Sequence, residues 1–232
     1  MAVSYNLILA EVMGQLSALG QSTVALAEST YNAVVSGSPV SVSTDWGLTQ
    51  MKDAVLDTEM DIIRQICLNE VHPYRNLFDK AASAVASSAL VPTTASDSTP
   101  FIGVLSRVLN SSTSYVMPEL PAYKVRMMIE NSGSMFGGTI PDGYAITGGT
   151  IIHTASTAVV WGPAAARATF SGNMRLKDEY RNAMVCGTLA SLLTKEGQFP
   201  DAWKMNSEMY ARELMAIQNV GRTVAQAFPT GN

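Results

Sequence analysis

Two cysteines and two histidines in 232 residues remove whole classes of chemistry. A metal centre needs clustered sulfur, imidazole or carboxylate ligands, and neither His72 nor His153 has a cysteine or acid at ligand spacing. Cys67 and Cys186 both fall inside helical patterns, as buried thiols do, and a disulfide is not expected in a reducing cytoplasm. Gly133, Gly137 and Gly138 lack the lysine that a phosphate-binding loop requires. The run Gly20-Gln21-Ser22-Thr23 continues into Val24, so it is not a nucleophile elbow. No stretch approaches 18 uninterrupted apolar residues, and no membrane-spanning helix is expected. Residues 1–10 carry no basic leader, so a secretory signal is not expected either, and the Asn-Ser-Ser sequon at Asn110 then has no use.

Charge is also scarce. Charged side chains make up 15% of the chain, against about 25% in an ordinary soluble domain. Either a Ser/Thr/Asn-rich surface makes up the difference, or much of the surface is covered by other subunits; composition leaves both open. The net charge is −4, with no block of like charges. That argues against a protein gripping nucleic acid by neutralising its phosphates, which needs a basic face.

The charges that exist are unevenly placed. Residues 47–80 hold ten and residues 174–222 hold thirteen, whereas residues 81–123 hold only Asp97, Arg107 and Glu119 and residues 131–166 hold only Asp142. The charged stretches have helical periodicity and the poor ones read as strands and loops. Apolar residues Tyr5, Ile8, Leu9, Val12, Leu16 and Leu19 predict a helix over 5–19, capped by Ser4 and stopped by Gly20. Residues 22–26 are a short extended candidate, and 36–44 a polar loop. A second helix is expected over 47–72, with a wide apolar arc, Asp45 as cap and Pro73 as stop. Residues 76–89 suit a short helix. Strands are expected at 115–117, 123–129, 143–147, 150–153 and 157–161, with Gly148-Gly149 as a two-residue hairpin turn. Residues 131–138 form a glycine-rich tip. A third helix is expected over 174–196, ended by Gly197. A fourth opens at Pro200 with the stripe Trp203, Ser207, Tyr210, Leu214, Ile217 and Gly221.

These assignments give an α+β fold: an antiparallel helical bundle with a β-rich insertion between the second and third long helices. The helical body takes residues 1–90 and 167–222, the insertion 91–166, and an extended uncharged tail 223–232. No catalytic, cofactor or metal residue is singled out. Asp57 and Asp61 share a helix face, but mixed charges around them read as a solvated surface. Met51 and Met60 fit helix stripes; Met127, Met128 and Met135 suit either core packing or an adaptable subunit contact.

The order of segments resembles the head-to-tail adaptor proteins of short-tailed bacteriophages, also called tail tubular protein A or gatekeeper connectors. The likeness lies in short patterns. Leu16-Ser17-Ala18-Leu19-Gly20 closes the first helix and is followed by Val24 and Leu26; His72-Pro73-Tyr74 forms a corner after the second. Tyr115-Val116-Met117-Pro118-Glu119-Leu120, then Val125-Arg126-Met127, is similar to the start of the family's β section. Gly143-Tyr144-Ala145-Ile146, Thr150-Ile151-Ile152 and Ala158-Val159-Val160-Trp161 resemble its hairpin and return strand. Arg181-Asn182-Ala183 to Leu192-Leu193, and Trp203 to Val220, follow the pattern of its closing helix pair. Residues 27–45 and 84–107 depart from the family in being longer and richer in serine and alanine.

The resemblance implies a structural, non-enzymatic virion protein at the head–tail junction, made in the bacterial cytoplasm. It implies a homo-oligomeric ring of about twelve copies under the portal protein and above the tail nozzle protein. DNA would pass through its channel without sequence-specific binding, and no membrane is involved. The tail, through Arg222, Val224, Ala227 and Phe228, is the implied portal contact. Ser134, Met135 and Phe136 are the implied nozzle contact. Two other readings remain: a different virion component (minor capsid, tail-completion or decoration protein), and a serine hydrolase using His72 or His153.

Overall fold

The computed structural model describes residues 2–19, 28–37, 46–131, 141–196 and 199–220. In chain order they form β1 (Ala2–Ser4), α1 (Tyr5–Ala18), α2 (Glu28–Val35), α3 (Leu48–Leu68), β2 (Asp79–Ala81), β3 (Ala89–Leu90) and β4 (Arg107–Asn110). These are followed by α4 (Ala122–Glu130), β5 (Tyr144–Thr147), β6 (Thr150–His153), β7 (Ala158–Pro163), β8 (Asn173–Lys177), α5 (Arg181–Glu196) and α6 (Pro200–Asn219). The class is mixed α+β, with small antiparallel sheets. The chain divides into two compact units, one made of Met1–Ile66 and Arg167–Asn232, the other of Cys67–Ala166. The second unit begins well before residue 90. The reason is pairing with distant strands: β2 pairs with β7 and β3 with β6, so residues 79–90 join the sheets.

In the first unit, Ser4 Oγ accepts the Leu7 N–H at 3.2 Å and starts α1 as a capping residue does. One face of α1 buries Tyr5, Ile8, Leu9, Val12, Met13 and Leu16. Each such side chain taken out of water contributes roughly 1.5–3 kcal/mol. The expected wide arc of α3 is present, since Met51, Val55, Ile62 and Ile66 are buried along with Leu56, Met60 and Ile63. α3 ends at Leu68, not at His72. Asn69 closes the chain on itself: its Oδ1 accepts the Val71 N–H and its carbonyl the His72 N–H, a local alternative to helix that asparagine favours. Pro73 lies in the turn that follows.

The third helix is likewise shorter than its charge pattern suggests. Residues 173–177 are strand β8, paired antiparallel with β1, and a 3-10 turn at Asp178–Tyr180 leads into α5. Met174 and Leu176 alternate inward, and tertiary pairing overrides their helical spacing. α6 opens at Pro200 as expected.

The second unit holds two three-stranded sheets, ordered β2-β7-β4 and β3-β6-β5. Its main core is Ala82, Val108, Met117, Ile151, Ala158 and Val160; a smaller one joins Val125, Ala145 and Ile152. Gly148 and Gly149 turn the β5–β6 hairpin at φ +57° and +76°. Both central residues of this turn need the left-handed region, where glycine has no Cβ to clash. Two expectations are corrected. Residues 76–89 make a 3-10 turn (Arg75–Phe78) and two short strands instead of a helix. Residues 123–129 are helix α4, not a strand. The apolar alternation Tyr123, Val125, Met127, Ile129 mimics a strand. Pro121 instead sits at the N-cap of a helix that turns only Val125 fully inward. Residues 115–117 hold a single bridge, Val116 to Leu109, in place of a strand.

Ser88, Ser98 and Ser114 occupy the left-handed region, at φ +69°, +65° and +56°. That conformation costs a residue with a Cβ about 1–2 kcal/mol, more than the roughly 0.5–1 kcal/mol that glycine loses in chain entropy. Ser98→Gly is therefore expected to stabilise the protein by a few tenths to about 1 kcal/mol. Urea unfolding should show a raised midpoint at unchanged slope.

Candidate functional site

The first unit is rigidified by polar knots before any of its surface is considered. Glu59, on the inner face of α3, is fully buried. Its Oε2 accepts the Tyr5 hydroxyl at 2.8 Å and Arg175 Nη2 at 2.7 Å, and its Oε1 accepts the Arg175 backbone N–H at 2.8 Å. One carboxylate so joins α1, α3 and β8. Burial first, and then this carboxylate, push the Tyr5 phenol far above its ordinary pKa. A second knot ties α6 to α3, where the Tyr210 hydroxyl donates to Asp61 at 2.8 Å. Burial and the Asp61 bond raise the Tyr210 pKa in the same direction. Asp57, one helical turn away, instead accepts from Arg167 at 2.8 Å on the surface. The two aspartates thus serve separate partners and do not form an acid–base pair.

Held this way, α6 presents more apolar surface than its own unit covers. Of its twenty residues, only Asn206 and Ile217 are buried, with Ser207, Tyr210, Glu213 and Leu214 half-buried beside them. Trp203, expected on the inward stripe, is 41% exposed. Met205, Met209 and Met215 are exposed as well, at 55%, 37% and 61%. By helical spacing Met205, Met209, Ala216 and Val220 share one flank, while Trp203, in the first turn, lies in line with the seam of Tyr210, Leu214 and Ile217 and is still exposed. Charged residues Lys204, Glu208 and Arg212 form the outermost ridge. The helix so carries an exposed apolar flank beside its buried seam.

Two further surfaces are notable. In the second unit, α4 exposes Tyr123 and Met127. In the first, an open cleft of about 680 Å³ runs between α1 and the start of α5, lined by Glu11, Gly14, Asp178, Glu179, Arg181 and Val185. Arg181 pairs with Glu11 across it, Nε to Oε2 at 3.1 Å.

The residues implied as contacts by the resemblance, Ser134, Met135 and Phe136 and Arg222, Val224, Ala227 and Phe228, lie outside the described residues. So do residues 20–27, 38–45 and 197–198, with Gly20, Asp45, Gly197 and Gly221 among the undescribed positions. His153 is buried with Nδ1 facing the Ala155 carbonyl at 3.0 Å and Nε2 facing the Val85 carbonyl at 3.2 Å. His72 Nδ1 accepts the Tyr74 N–H at 3.1 Å. Cys67 is buried, and burial pushes its thiol up to about 12, which makes it inert. Among the described residues no helix is long and apolar enough to cross a membrane. Sequence periodicity did not mark the exposed methionines of α6 because Met205, Met209 and Met215 lie off the stripe it picks out. Their signal was the unusual total of thirteen methionines. No protein-family model matches the chain, and no curated protein matches it significantly.

Proposed function

We propose that this chain is a bacteriophage virion structural protein, the head-to-tail adaptor that forms a ring between portal and tail nozzle. In this reading the helices are an antiparallel body, the β-rich segment is inserted between its second and third long helices, and the channel passes DNA without reading it. The observation that carries it is α6: a twenty-residue helix with two buried side chains and an exposed tryptophan and three exposed methionines. Methionine packs adaptably at subunit contacts, and the low charge content suits a surface covered by neighbours. About twelve copies at −4 each carry roughly −48, and a negative wall lets DNA slide without sticking.

The test is assembly with a cognate portal protein. Purified chain mixed with portal is expected to co-sediment at physiological salt. Peroxide oxidation of Met205, Met209 and Met215, followed by peptide mass spectrometry, is expected to slow at least fivefold in the complex. Absence of co-sedimentation at every salt concentration, or undiminished oxidation in the complex, refutes the reading.

A further inference from the structure

We propose that α4 of one copy docks into the α1–α5 cleft of a neighbouring copy. This rests on the oligomeric reading above and adds to it a specific contact. α4 has nine residues and buries one, Val125. Helical spacing places Tyr123 and Met127 on the ridge opposite Val125, and they are 68% and 55% exposed. Lys124 and Arg126 stand on either side of that ridge, and among the described residues neither has a carboxylate within pairing distance. The helix therefore offers an apolar crest between two cations. Its two cations suit a groove with an acidic rim.

The cleft between α1 and α5 is acidic at its rim and mixed within, where Gln15, Arg181 and Asn182 stand beside Gly14 and Val185. Gly14 contributes no side chain, and the space where its Cβ would stand is open. Val185 lies on the α5 side, and Asp178 and Glu179 stand at the rim. Glu11 already takes Arg181, whereas Asp178 and Glu179 have no cation within pairing distance among the described residues. They are the carboxylates available to an incoming Lys124 and Arg126. The two surfaces belong to different units, so the contact is heterologous. Repeated from copy to copy, a heterologous contact closes into a ring when its rotation allows.

Charge swapping tests this on the full chain by sedimentation velocity. Lys124→Glu with Arg126→Glu is expected to weaken self-association at least tenfold, and Asp178→Lys with Glu179→Lys to do the same. The chain carrying all four substitutions is expected to regain most of the loss. Circular dichroism melts check folding, since the lysines stand at the start of α5, where acids suit the helix dipole. If that pair does not fold, Gly14→Cys with Met127→Cys decides the matter: oxidation should give a ladder of disulfide-linked multimers. Undiminished association of both reversed pairs, failure of the fourfold variant to recover, or no ladder overturns the docking and leaves the ring intact. A wild-type chain that stays monomeric alone and with portal overturns both.

Discussion

Glu59→Ala is expected to cost the first unit about 3–5 kcal/mol, the loss typical of breaking a buried ion pair by removing one partner. The carboxylate has no exposure, and the bonds it accepts come from two other elements: the Tyr5 hydroxyl from α1, and the Arg175 guanidinium and backbone from β8. Its removal leaves a guanidinium without its counter-charge and a buried phenol without an acceptor. Most of the cost therefore belongs to the groups left behind. Two companions check that assignment. Glu59→Gln, which keeps the shape and loses the charge, should fall between wild type and alanine. Glu59→Ala with Arg175→Met should be more stable than Glu59→Ala alone, because the orphaned charge is gone. Urea unfolding followed by circular dichroism measures all three; a loss under 1 kcal/mol for Glu59→Ala would show that the knot contributes little.

Gly187→Ala is the second large effect. A Cβ built at Gly187 would sit 2.6 Å from Thr58 Cγ2 and 2.8 Å from the Tyr210 ring, inside any tolerable carbon contact. The helices α3, α5 and α6 meet closely at this point because α5 has no side chain there. Adding a methyl must displace either buried Thr58, whose hydroxyl is held by the Ala54 carbonyl at 2.8 Å, or Tyr210, whose hydroxyl is held by Asp61. Overpacking of this kind costs about 1–3 kcal/mol, which for a chain of this size lowers the melting temperature by roughly 2–4 °C per kcal/mol. Gly187→Leu should cost more. Thr58→Ser, which deletes the nearest methyl, should recover part of the loss for alanine. A melt unchanged by Gly187→Ala would mean that α5 and α6 have room to part.

The elements around these two residues also mark how much of the fold is readable from sequence. Helical spacing identified α1, the wide arc of α3 and α6 from Pro200, because the apolar positions of these elements recur at helical period. Gly148-Gly149 identified its hairpin because only that turn type needs two left-handed residues. The misreadings share a cause: the deciding partner is far away in sequence. β8 is a strand because β1 and Glu59 hold Arg175, more than a hundred residues from Glu59. α4 is a helix because Val125 fits between Ala145 and Ile152, although its alternation imitates a strand. The end of α3 was missed for a local reason, the weight given to Pro73 over Asn69. At the candidate surface, Ser207, Tyr210, Leu214 and Ile217 face inward as the stripe of spacing has them, and Trp203 alone among its described members is exposed, in the first turn of the helix.

The account stands or falls on whether this chain closes into a ring. The most direct measurement is the mass of the native assembly, alone and with a cognate portal, by light scattering or native mass spectrometry. The account predicts a closed oligomer near twelve times the mass of the chain in the portal complex, with subunit stoichiometry matching the portal's symmetry. A chain that remains monomeric in both conditions, or that adds to portal at one or two copies only, contradicts it.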